Sequence, residues 1–385
     1  LAAKARARPD LVRKVIDKAK RDGLKATFET VMARLDEPLP LGYSAAGVVR
    51  AVGAGLEGDF RVGERVAVAG AGLANHAELN VVPRSLAAHV PDGVSDEQAA
   101  FGTLGAIAMQ AVRNTEMALG DVVAVIGCGL VGQLAARLIT LSGGRAVVLD
   151  YDRERLALAE TLGAECALDL ATDAVAETVR ELTAGRGADA IIIAAATATS
   201  EPFDTAAEIA RDRARVVMVG LTGTAFPYAD FMKKELNIVV SRSYGPGRYD
   251  EDFETRGIKY PAGWVRWTET ENLAETLRLM APGLAARLDV GALISHRFAF
   301  DDAEAAYDLV TGGERHLGVV LAYAGVAESS ARAEIAPAMG TARVAASGGC
   351  VIGAVGAGAY ARTLLLPKLK GISGVTLATL VTERG

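Results

Sequence analysis

Between residues 121 and 245, short runs of consecutive apolar residues alternate with segments in which apolar residues recur every three or four positions. Unbroken apolar runs are typical of strands buried on both faces of a parallel sheet, and the wider spacing is typical of amphipathic helices. The alternation predicts a doubly wound α/β domain. Its strands are expected at Val122–Ile126, Ala146–Leu149, Ala190–Ala194, Val216–Val219 and Ile238–Val240, with helices that include Val131–Leu141 and Arg153–Leu162.

A different pattern precedes this domain. Residues 41–90 contain short β-rich runs separated by glycine and proline, which predicts a small antiparallel domain. The runs are Ala46–Val52, Arg65–Ala69 and Ala77–Val82. Helical spacing predicts helices at residues 9–35, 97–118 and about 270–280, and a strand–helix–strand unit closes the pattern at about 290–322.

Composition excludes several classes of protein. Of the 385 residues, 51% are hydrophobic and 23% are charged, which is typical of a globular chain. The formal net charge of −6 argues against nucleic acid as the main partner. We find no long uncharged apolar run and no signal peptide, so a soluble cytoplasmic protein without a membrane partner is predicted. The three cysteines form no CxxC pair, which argues against a disulfide framework or a cysteine-rich zinc site.

The strongest motif is the glycine-rich segment 127–132, which reads GCGLVG. It follows the first predicted strand, opens a predicted helix, and is followed by a second strand that ends at Asp150, as in dinucleotide-binding domains. Glycines allow the tight turn, the approach of a pyrophosphate to the backbone and close packing of the helix, whose N-terminus attracts phosphate. The predicted cofactor-binding residues are Gly127, Gly129, Leu130, Val131, Gly132, Asp150 and Arg153.

The acid at the end of the second strand bears on the choice of cofactor. The carboxylate of Asp150 is expected to accept hydrogen bonds from ribose hydroxyls and to repel a 2′-phosphate, which favours NAD over NADP. Arg153 and Arg155 are the residues that would favour NADP. A second glycine-rich segment, 356–361, follows the predicted strand Cys350–Val355, and we interpret it as part of a truncated domain that does not hold a nucleotide by itself.

The order of the motifs resembles the medium-chain dehydrogenases/reductases, which include zinc-binding alcohol, sorbitol and threonine dehydrogenases. The resemblance covers residues 38–322 and is carried by VGERVAV, HAELNVVP, VPDGVSDEQAA, GDVVAVIGCGLVG and FAFDDAEAAYDLV, followed by HLGVVL. The tail GAVGAGAYARTLLLPKL resembles the start of a Gfo/Idh/MocA-type oxidoreductase, a family that acts largely on sugars and cyclitols. Together they resemble fused oxidoreductases of two domains.

The resemblance implies a doubly wound Rossmann domain, a β-rich GroES-like domain and a truncated second Rossmann unit. Because the last strand–turn–helix pattern is cut off at Gly385, we interpret the chain as a fragment that is open at both ends. The predicted parts are a helical segment (1–37), the GroES-like substrate domain (38–106 with 285–323), the Rossmann domain (107–284), a linker (324–347) and the truncated unit (348–385).

The chain departs from the zinc-binding pattern at one place. Where zinc members carry Gly-His-Glu, this sequence has Gly42, Tyr43 and Ser44, and neither Tyr nor Ser is a usual zinc ligand. The cysteine-rich lobe of the zinc members is absent too, so no metal is expected. Another group must then polarise the substrate carbonyl. The candidate catalytic residues are Tyr43, at the lost ligand position, and His76; the alternative is that Tyr43 only packs and that His76 is structural.

Residues 242–267 are unusually rich in aromatic residues and arginine. They follow the last Rossmann strand, near the edge of the sheet where α/β proteins bind ligands. Aromatic rings stack on sugars and arginines bind carboxylate or phosphate, which predicts an anionic sugar derivative as substrate. The alternative is a lid or an oligomer contact. The candidate substrate residues are Arg242, Tyr244, Arg248, Tyr249, Trp264 and Arg266.

The sequence thus predicts a zinc-independent, NAD(H)-linked oxidoreductase that acts on the alcohol or carbonyl of a sugar or sugar derivative. Two alternatives remain. One is a non-catalytic nucleotide-binding or scaffold module for the fused sugar oxidoreductase, and the other is an NADPH-linked quinone or enoyl reductase. The resemblance also implies a homo-oligomer, a dimer or a tetramer.

Overall fold

The computed structural model describes residues 40–261, 263–324, 350–356, 361 and 365–381. The chain divides into two compact units, of which Pro40–Gly325 is the larger. The predicted helical segment 1–37 and all but the first residue of the predicted linker 324–347 lie outside the described residues. The boundary between the GroES-like and Rossmann domains, both of which fall within the larger unit, stays a prediction.

A six-stranded parallel sheet forms the centre of the larger unit. Counted along the chain, its strands lie in the order 3-2-1-4-5-6, which belongs to the doubly wound class that the sequence predicts. Every residue of the central strand is buried, because helices cover both faces. The strands are β4 (Val122–Ile126), β5 (Arg145–Asp150), β6 (Cys166–Asp169), β7 (Ala188–Ile193), β8 (Ala210–Met218) and β9 (Asn237–Val240). The prediction missed β6, a strand of only four residues.

Helices connect these strands and cover the sheet. On one face the core includes Val125, Leu134 and Leu277; on the other it includes Ile191 and Phe203. The helices are α2 (Gly102–Asn114), α3 (Leu130–Leu141), α4 (Arg153–Thr161), α5 (Val175–Leu182), α6 (Glu201–Ile209), α7 (Tyr228–Lys234), α8 (Glu251–Glu254) and α9 (Glu269–Met280). A short helix, α1 (Asp96–Ala99), precedes α2. The predicted single helix 97–118 is therefore interrupted at Ala100 and Phe101.

The β-rich part contains a three-stranded antiparallel sheet of β1 (Ser44–Val48), β2 (Arg65–Ala69) and β3 (Ala87–His89). The prediction of a strand at Ala77–Val82 is wrong. The Asn80 side chain exchanges hydrogen bonds with the backbone of Asn75, 2.9 Å from its N–H and 3.1 Å from its carbonyl, and so closes a loop instead. Asx side chains that bond nearby backbone favour such loops over strands.

The predicted strand–helix–strand unit is present. It consists of β10 (Ile294–Ala299), α10 (Ala303–Thr311) and β11 (Gly318–Ala322), with the two strands parallel. In the smaller unit, β12 (Cys350–Val355) pairs in parallel with β13 (Val375–Val381), and α11 (Leu366–Lys370) lies between them in sequence. Across the described residues, no helix is long and apolar enough to cross a bilayer.

Candidate active site

The glycine-rich turn between β4 and α3 has the geometry that its sequence predicts. Gly127 has φ +100°, and a Cβ there would lie 2.7 Å from the backbone nitrogen of Ala195. A Cβ at Gly132 would overlap the carbonyl oxygen of Gly127, so α3 packs against the turn at backbone distance. A Cβ at Gly129 would meet no atom within 4 Å. Two glycines are therefore required for packing, while the third borders open space.

The first turn of α3 lies beside this open space. Gly129 is the N-cap residue, and Leu130 and Val131 begin a helix of 12 residues. The first backbone N–H groups of a helix have no acceptor within the helix, and the helix dipole places partial positive charge there. The turn thus combines free space with hydrogen-bond donors, an arrangement that suits a phosphate.

Asp150 holds the turn in place at the end of β5. Its carboxylate accepts hydrogen bonds from the backbone N–H groups of Cys128 (2.5 Å), Tyr151 (2.8 Å) and Asp152 (2.9 Å). A carboxylate offers about four acceptor positions, so one is left for a further donor. Asp150 therefore has a structural role that the sequence prediction did not include, alongside capacity for a ligand hydroxyl.

Arg153 lies at the start of α4, next to Asp150. Its Nε donates to Asp169 at 2.9 Å, and its side chain is largely exposed. With Asp150 and Arg315, Arg153 borders an open cleft of about 410 Å³. The structure thus places the acid and this candidate arginine in one cleft.

One candidate catalytic residue, His76, packs against Gly42, and the other, Tyr43, is the next residue in the chain. The imidazole of His76 packs against Gly42 so closely that a Cβ on Gly42 would overlap the ring. The backbone N–H of His76 donates to the backbone carbonyl of Leu41 at 2.7 Å. Tyr43 follows directly, and its side chain is 43% exposed. Burial raises the pKa of the Tyr43 phenol and lowers that of the His76 imidazole. At neutral pH, both groups are therefore uncharged hydrogen-bond donors or acceptors.

A third residue, which the sequence analysis missed, belongs to this group. The hydroxyl of Tyr307 on α10 lies 2.5 Å from Nδ1 of His76, and the two ring centroids are 5.8 Å apart. The residues are 231 positions apart in sequence, so only the fold brings them together. In the sequence, Tyr307 is one aromatic residue of an amphipathic helix, and nothing in that pattern indicates contact with His76.

The residues near Tyr43 do not fit a zinc ion. The hydroxyl of Ser44, at the position of the missing acidic residue, donates to the carbonyl of Ala100 at 2.6 Å. Within the ranges that the structure describes, no group of three or more His, Cys, Asp and Glu side chains is arranged to hold a metal. Zinc sites in proteins use three or four such ligands, and the side chains of Tyr43 and Ser44 do not supply them.

Three of the six predicted substrate residues are buried or bound to neighbouring side chains. Tyr244 is 4% exposed, which leaves its ring unavailable for stacking on a ligand. Arg248 forms an ion pair with Glu254 at 2.6 Å, in which both side chains are largely buried, and its guanidinium lies 4.3 Å from the ring centroid of Tyr249. Arg266 pairs with Glu271 and stacks on Trp267. These three residues stabilise the fold of the segment.

Three members of the set remain accessible. Trp264 is 87% exposed and Tyr249 is 68% exposed. The exposed Arg242 makes only a ring contact with Tyr249, at 5.5 Å, and no ion pair within the described residues. These are the side chains of the segment that remain candidates for contact with a ligand.

Sequence reasoning also missed a buried acid beneath this segment. Glu269, the first residue of α9, is 1% exposed, and neither carboxylate oxygen has a hydrogen-bond partner within the described structure. Burial, followed by the charge of Glu254, raises the pKa of Glu269 to about 8. A Thr-Glu pair that begins a helix normally indicates an exposed helix start, so the sequence gave no reason to place this side chain inside.

Comparison with known proteins supports the kinship that the motifs indicate. Residues 131–256 match the family described as zinc-binding dehydrogenase. An alcohol dehydrogenase of Cupriavidus necator is 28% identical over 239 residues, 62% of this chain and 57% of that protein. A 2-dehydro-3-deoxy-L-galactonate 5-dehydrogenase of Pseudoalteromonas atlantica is 28% identical over 246 residues, 56% of this chain and 71% of the relative. This chain is related to the medium-chain zinc-binding dehydrogenases.

Solved structures show the same fold. An alcohol dehydrogenase of Escherichia coli CFT073, complexed with NADH, superimposes with a TM-score of 0.57 at 23% identity, covering 73% of this chain and 83% of that one. The predicted kinship with the medium-chain dehydrogenases is confirmed. The match between this chain and the Cupriavidus alcohol dehydrogenase covers 57% of the length of that protein. The family match ends at residue 256, so the resemblance of the tail to Gfo/Idh/MocA oxidoreductases stays a prediction.

Proposed function

We propose that this protein is a zinc-independent, NAD(H)-linked oxidoreductase that moves a hydride to or from the alcohol or carbonyl carbon of a sugar derivative. The observation that carries the proposal is the turn at Gly129, where open space, a helix N-terminus and Asp150 come together. Kinship with enzymes named as dehydrogenases supports the same reaction class.

The cofactor would be held by the glycine turn and Asp150. The N–H groups of the first turn of α3 would bind the pyrophosphate, and the remaining acceptor position of Asp150 would take a ribose hydroxyl. NAD supplies the hydride acceptor when bound. The carboxylate favours NAD over NADP, because a 2′-phosphate would lie beside a negative charge. The Escherichia coli protein of the same fold was solved with NADH, which supports this choice.

The substrate oxygen would be bound by neutral donors instead of a metal. His76 packs against Gly42, Tyr43 follows Gly42 in sequence, and both side chains are uncharged at neutral pH. Oriented donors stabilise the negative charge that develops on a carbonyl oxygen as it is reduced. Replacing Tyr43 by Phe is expected to lower turnover at least about tenfold.

An anionic sugar derivative is the substrate class that the accessible residues favour. Arg242 offers a cation without an ion-pair partner among the described residues, and Tyr249 and Trp264 offer exposed rings. Rings of this kind stack on sugars, and guanidinium binds carboxylate or phosphate. The relative named 2-dehydro-3-deoxy-L-galactonate 5-dehydrogenase acts, by its name, on a sugar acid, which supports this class.

A homo-oligomer is part of the proposal. The edge strand β9 exposes Val240 at 72% and Ile238 at 38%. An apolar edge strand on the surface is a site for pairing with another chain. Sedimentation of the purified protein tests this part.

One experiment tests the core of the proposal. The protein is titrated with NADH and with NADPH while nicotinamide fluorescence is followed, and the same sample is analysed for zinc. Sugar acids, sugar phosphates and matched neutral sugars are then screened for NADH formation or consumption. We expect tighter binding of NADH, no stoichiometric zinc and turnover of an anionic sugar.

Other results would point to the two alternatives. NADH binding without turnover of any sugar would favour a scaffold for a partner oxidoreductase. Preference for NADPH with turnover of a quinone would favour the quinone-reductase interpretation. Stoichiometric zinc that is needed for turnover would reject the proposed role of Tyr43.

A further inference from the structure

His76 is held on one side by a single phenol. Its Nδ1 lies 2.5 Å from the hydroxyl of Tyr307, whereas no hydrogen bond to Nε2 is present within the described residues. The backbone of His76 is fixed as well, because its N–H donates to Leu41. Nε2 lacks a hydrogen-bond partner among the described residues, while the Cδ2–Nε2 edge of the ring packs against Gly42.

The chemistry of the pair sets the direction of the hydrogen bond. A phenol is a stronger acid than a neutral imidazole N–H, and an imidazole nitrogen is a better acceptor than a phenol oxygen. Burial raises the pKa of Tyr307 and lowers that of His76, so the phenol keeps its proton and the imidazole stays neutral. Tyr307 is the donor and Nδ1 is the acceptor.

A neutral imidazole carries one proton, and the hydrogen bond at one nitrogen decides which nitrogen carries it. With Nδ1 accepting from Tyr307, the proton lies on Nε2. We propose that Tyr307 is a positioning residue that fixes His76 as the Nε2–H tautomer, so that His76 presents an N–H donor to the substrate oxygen. This inference rests on the proposed function, in which His76 lies beside the reacting carbonyl.

The consequence for the reaction concerns hydrogen bonding and not proton transfer. In carbonyl reduction, the Nε2–H would polarise the carbonyl, and a neutral imidazole is able to do so without being protonated. In the opposite tautomer, Nε2 would be a bare lone pair facing the same oxygen. Such a lone pair would repel the negative charge that develops there.

Nitrogen-15 NMR of the histidine rings measures the tautomer directly. The chain has four histidines, so few signals need assignment. Two of them serve as internal references. Nδ1 of His316 lies 2.9 Å from the carbonyl oxygen of Glu314 and must donate to it, whereas Nε2 of His89 lies 3.0 Å from the carbonyl oxygen of Asp59 and must donate there. The two references therefore donate from opposite ring nitrogens, and Nδ1 of His89 also lies 3.6 Å from the carboxylate of Glu64.

The spectra are recorded near pH 8, where an ordinary imidazole is neutral, and His76 is assigned by its loss in His76→Gln. We expect His76 to show the pattern of His89. In Tyr307→Phe, which keeps the ring but removes the hydroxyl, we expect the His76 shifts to move toward a mixture of tautomers. Tyr228→Phe is the matched control, because the Tyr228 ring is 68% exposed at the start of α7. It should leave the His76 signals unchanged.

Two results would overturn the inference. One is a His76 pattern that resembles His316 in the unaltered protein. The other is a His76 spectrum in Tyr307→Phe that does not differ from that of the unaltered protein. Neither depends on activity.

Kinetics test the catalytic consequence. On the substrate found in the screen, Tyr307→Phe is expected to lower kcat about threefold to tenfold while the Kd for NADH stays constant. Full activity of His76→Gln would show that the imidazole is not used. If the unaltered protein turns over nothing, the proposed function fails, and the tautomer spectrum still decides whether Tyr307 sets the state of His76.

Discussion

The glycine turn at residues 127–132 and the segment at residues 242–269 differ in how they use their polar groups. In the turn, Gly129 leaves open space beside unpaired helix donors, and Asp150 keeps an acceptor position. In the segment, Arg248 pairs with Glu254 and Arg266 pairs with Glu271. A site built from backbone groups keeps hydrogen-bond donors free for a ligand. In a cluster of long side chains, the charged groups are able to pair with one another instead.

The largest expected effect is at Gly132. Replacing it by alanine would force a Cβ into the carbonyl oxygen of Gly127, where both partners belong to the backbone and neither is able to turn away. Overpacking costs about 1–3 kcal/mol even where side chains adjust, so we expect a loss of about 3 kcal/mol in the free energy of unfolding. Urea unfolding measures this loss, and NADH binding should fall with it.

Gly129→Ala is the matched control for that variant. Gly129 has φ −66°, which alanine adopts freely, and its Cβ would meet no atom within 4 Å. We expect unfolding to change by less than about 1 kcal/mol, while NADH binding weakens at least about tenfold because the methyl group fills the space for the pyrophosphate. Unchanged NADH affinity would place the nucleotide elsewhere.

Arg248 provides the next largest effect. Replacing it by alanine leaves Glu254, which is 12% exposed, without its cation. Breaking such a pair is strongly destabilising because a buried charge remains, and we expect a loss of about 2 kcal/mol. Arg242→Ala is the comparison, because Arg242 is exposed and has no ion pair in the described part of the chain. Arg242→Ala should lower the free energy of unfolding little and should raise the KM for an anionic substrate. The opposite pattern would make Arg248 the substrate residue.

The sequence predicted the glycine turn better than the contacts of the aromatic segment, because the turn depends on local spacing. The strand–turn–helix pattern and its glycines are local, so the α/β class and the tight turn at Gly127 and Gly132 followed from residue spacing, whereas the strand order did not. The partners of Arg248, Glu269 and His76 depend on which elements meet in three dimensions. Tyr307, 231 residues from His76, shows that local patterns do not contain this information.

Glu269 is expected to make the free energy of unfolding depend on pH. Its pKa of about 8 lies above the ordinary value of 4.5, so the folded protein holds a proton there that the unfolded chain releases. Stability from this group is fully present below about pH 4.5 and is lost as the pH rises through 8. Each pKa unit corresponds to about 1.4 kcal/mol. Glu269→Gln should therefore gain stability relative to the unaltered protein by roughly 2 kcal/mol between pH 6 and pH 8.

The comparison for Glu269 is an exposed acid. Glu177→Gln, on the surface of α5, should show no such trend between pH 6 and pH 8. Glu269 is surrounded by the acids Glu254 and Asp250 and the cations Arg248 and Arg242. A flat difference between Glu269→Gln and the unaltered protein would mean that these cations compensate the carboxylate.

Replacing Trp264 should give the smallest change in the free energy of unfolding. The same variant distinguishes a substrate contact from a contact between subunits. It is 87% exposed, so Trp264→Ala should alter the free energy of unfolding by less than about 0.5 kcal/mol. Trp267 is its matched control, because the guanidinium groups of Arg113 (3.5 Å) and Arg266 (3.9 Å) both stack on its ring, so its removal should cost measurable stability. If Trp264 stacks on the substrate, its loss raises KM for the sugar and leaves NADH binding unchanged. If KM stays constant while the protein dissociates on dilution, the exposed ring belongs to an interface between subunits, and the ligand-binding part of the segment narrows to Arg242 and Tyr249.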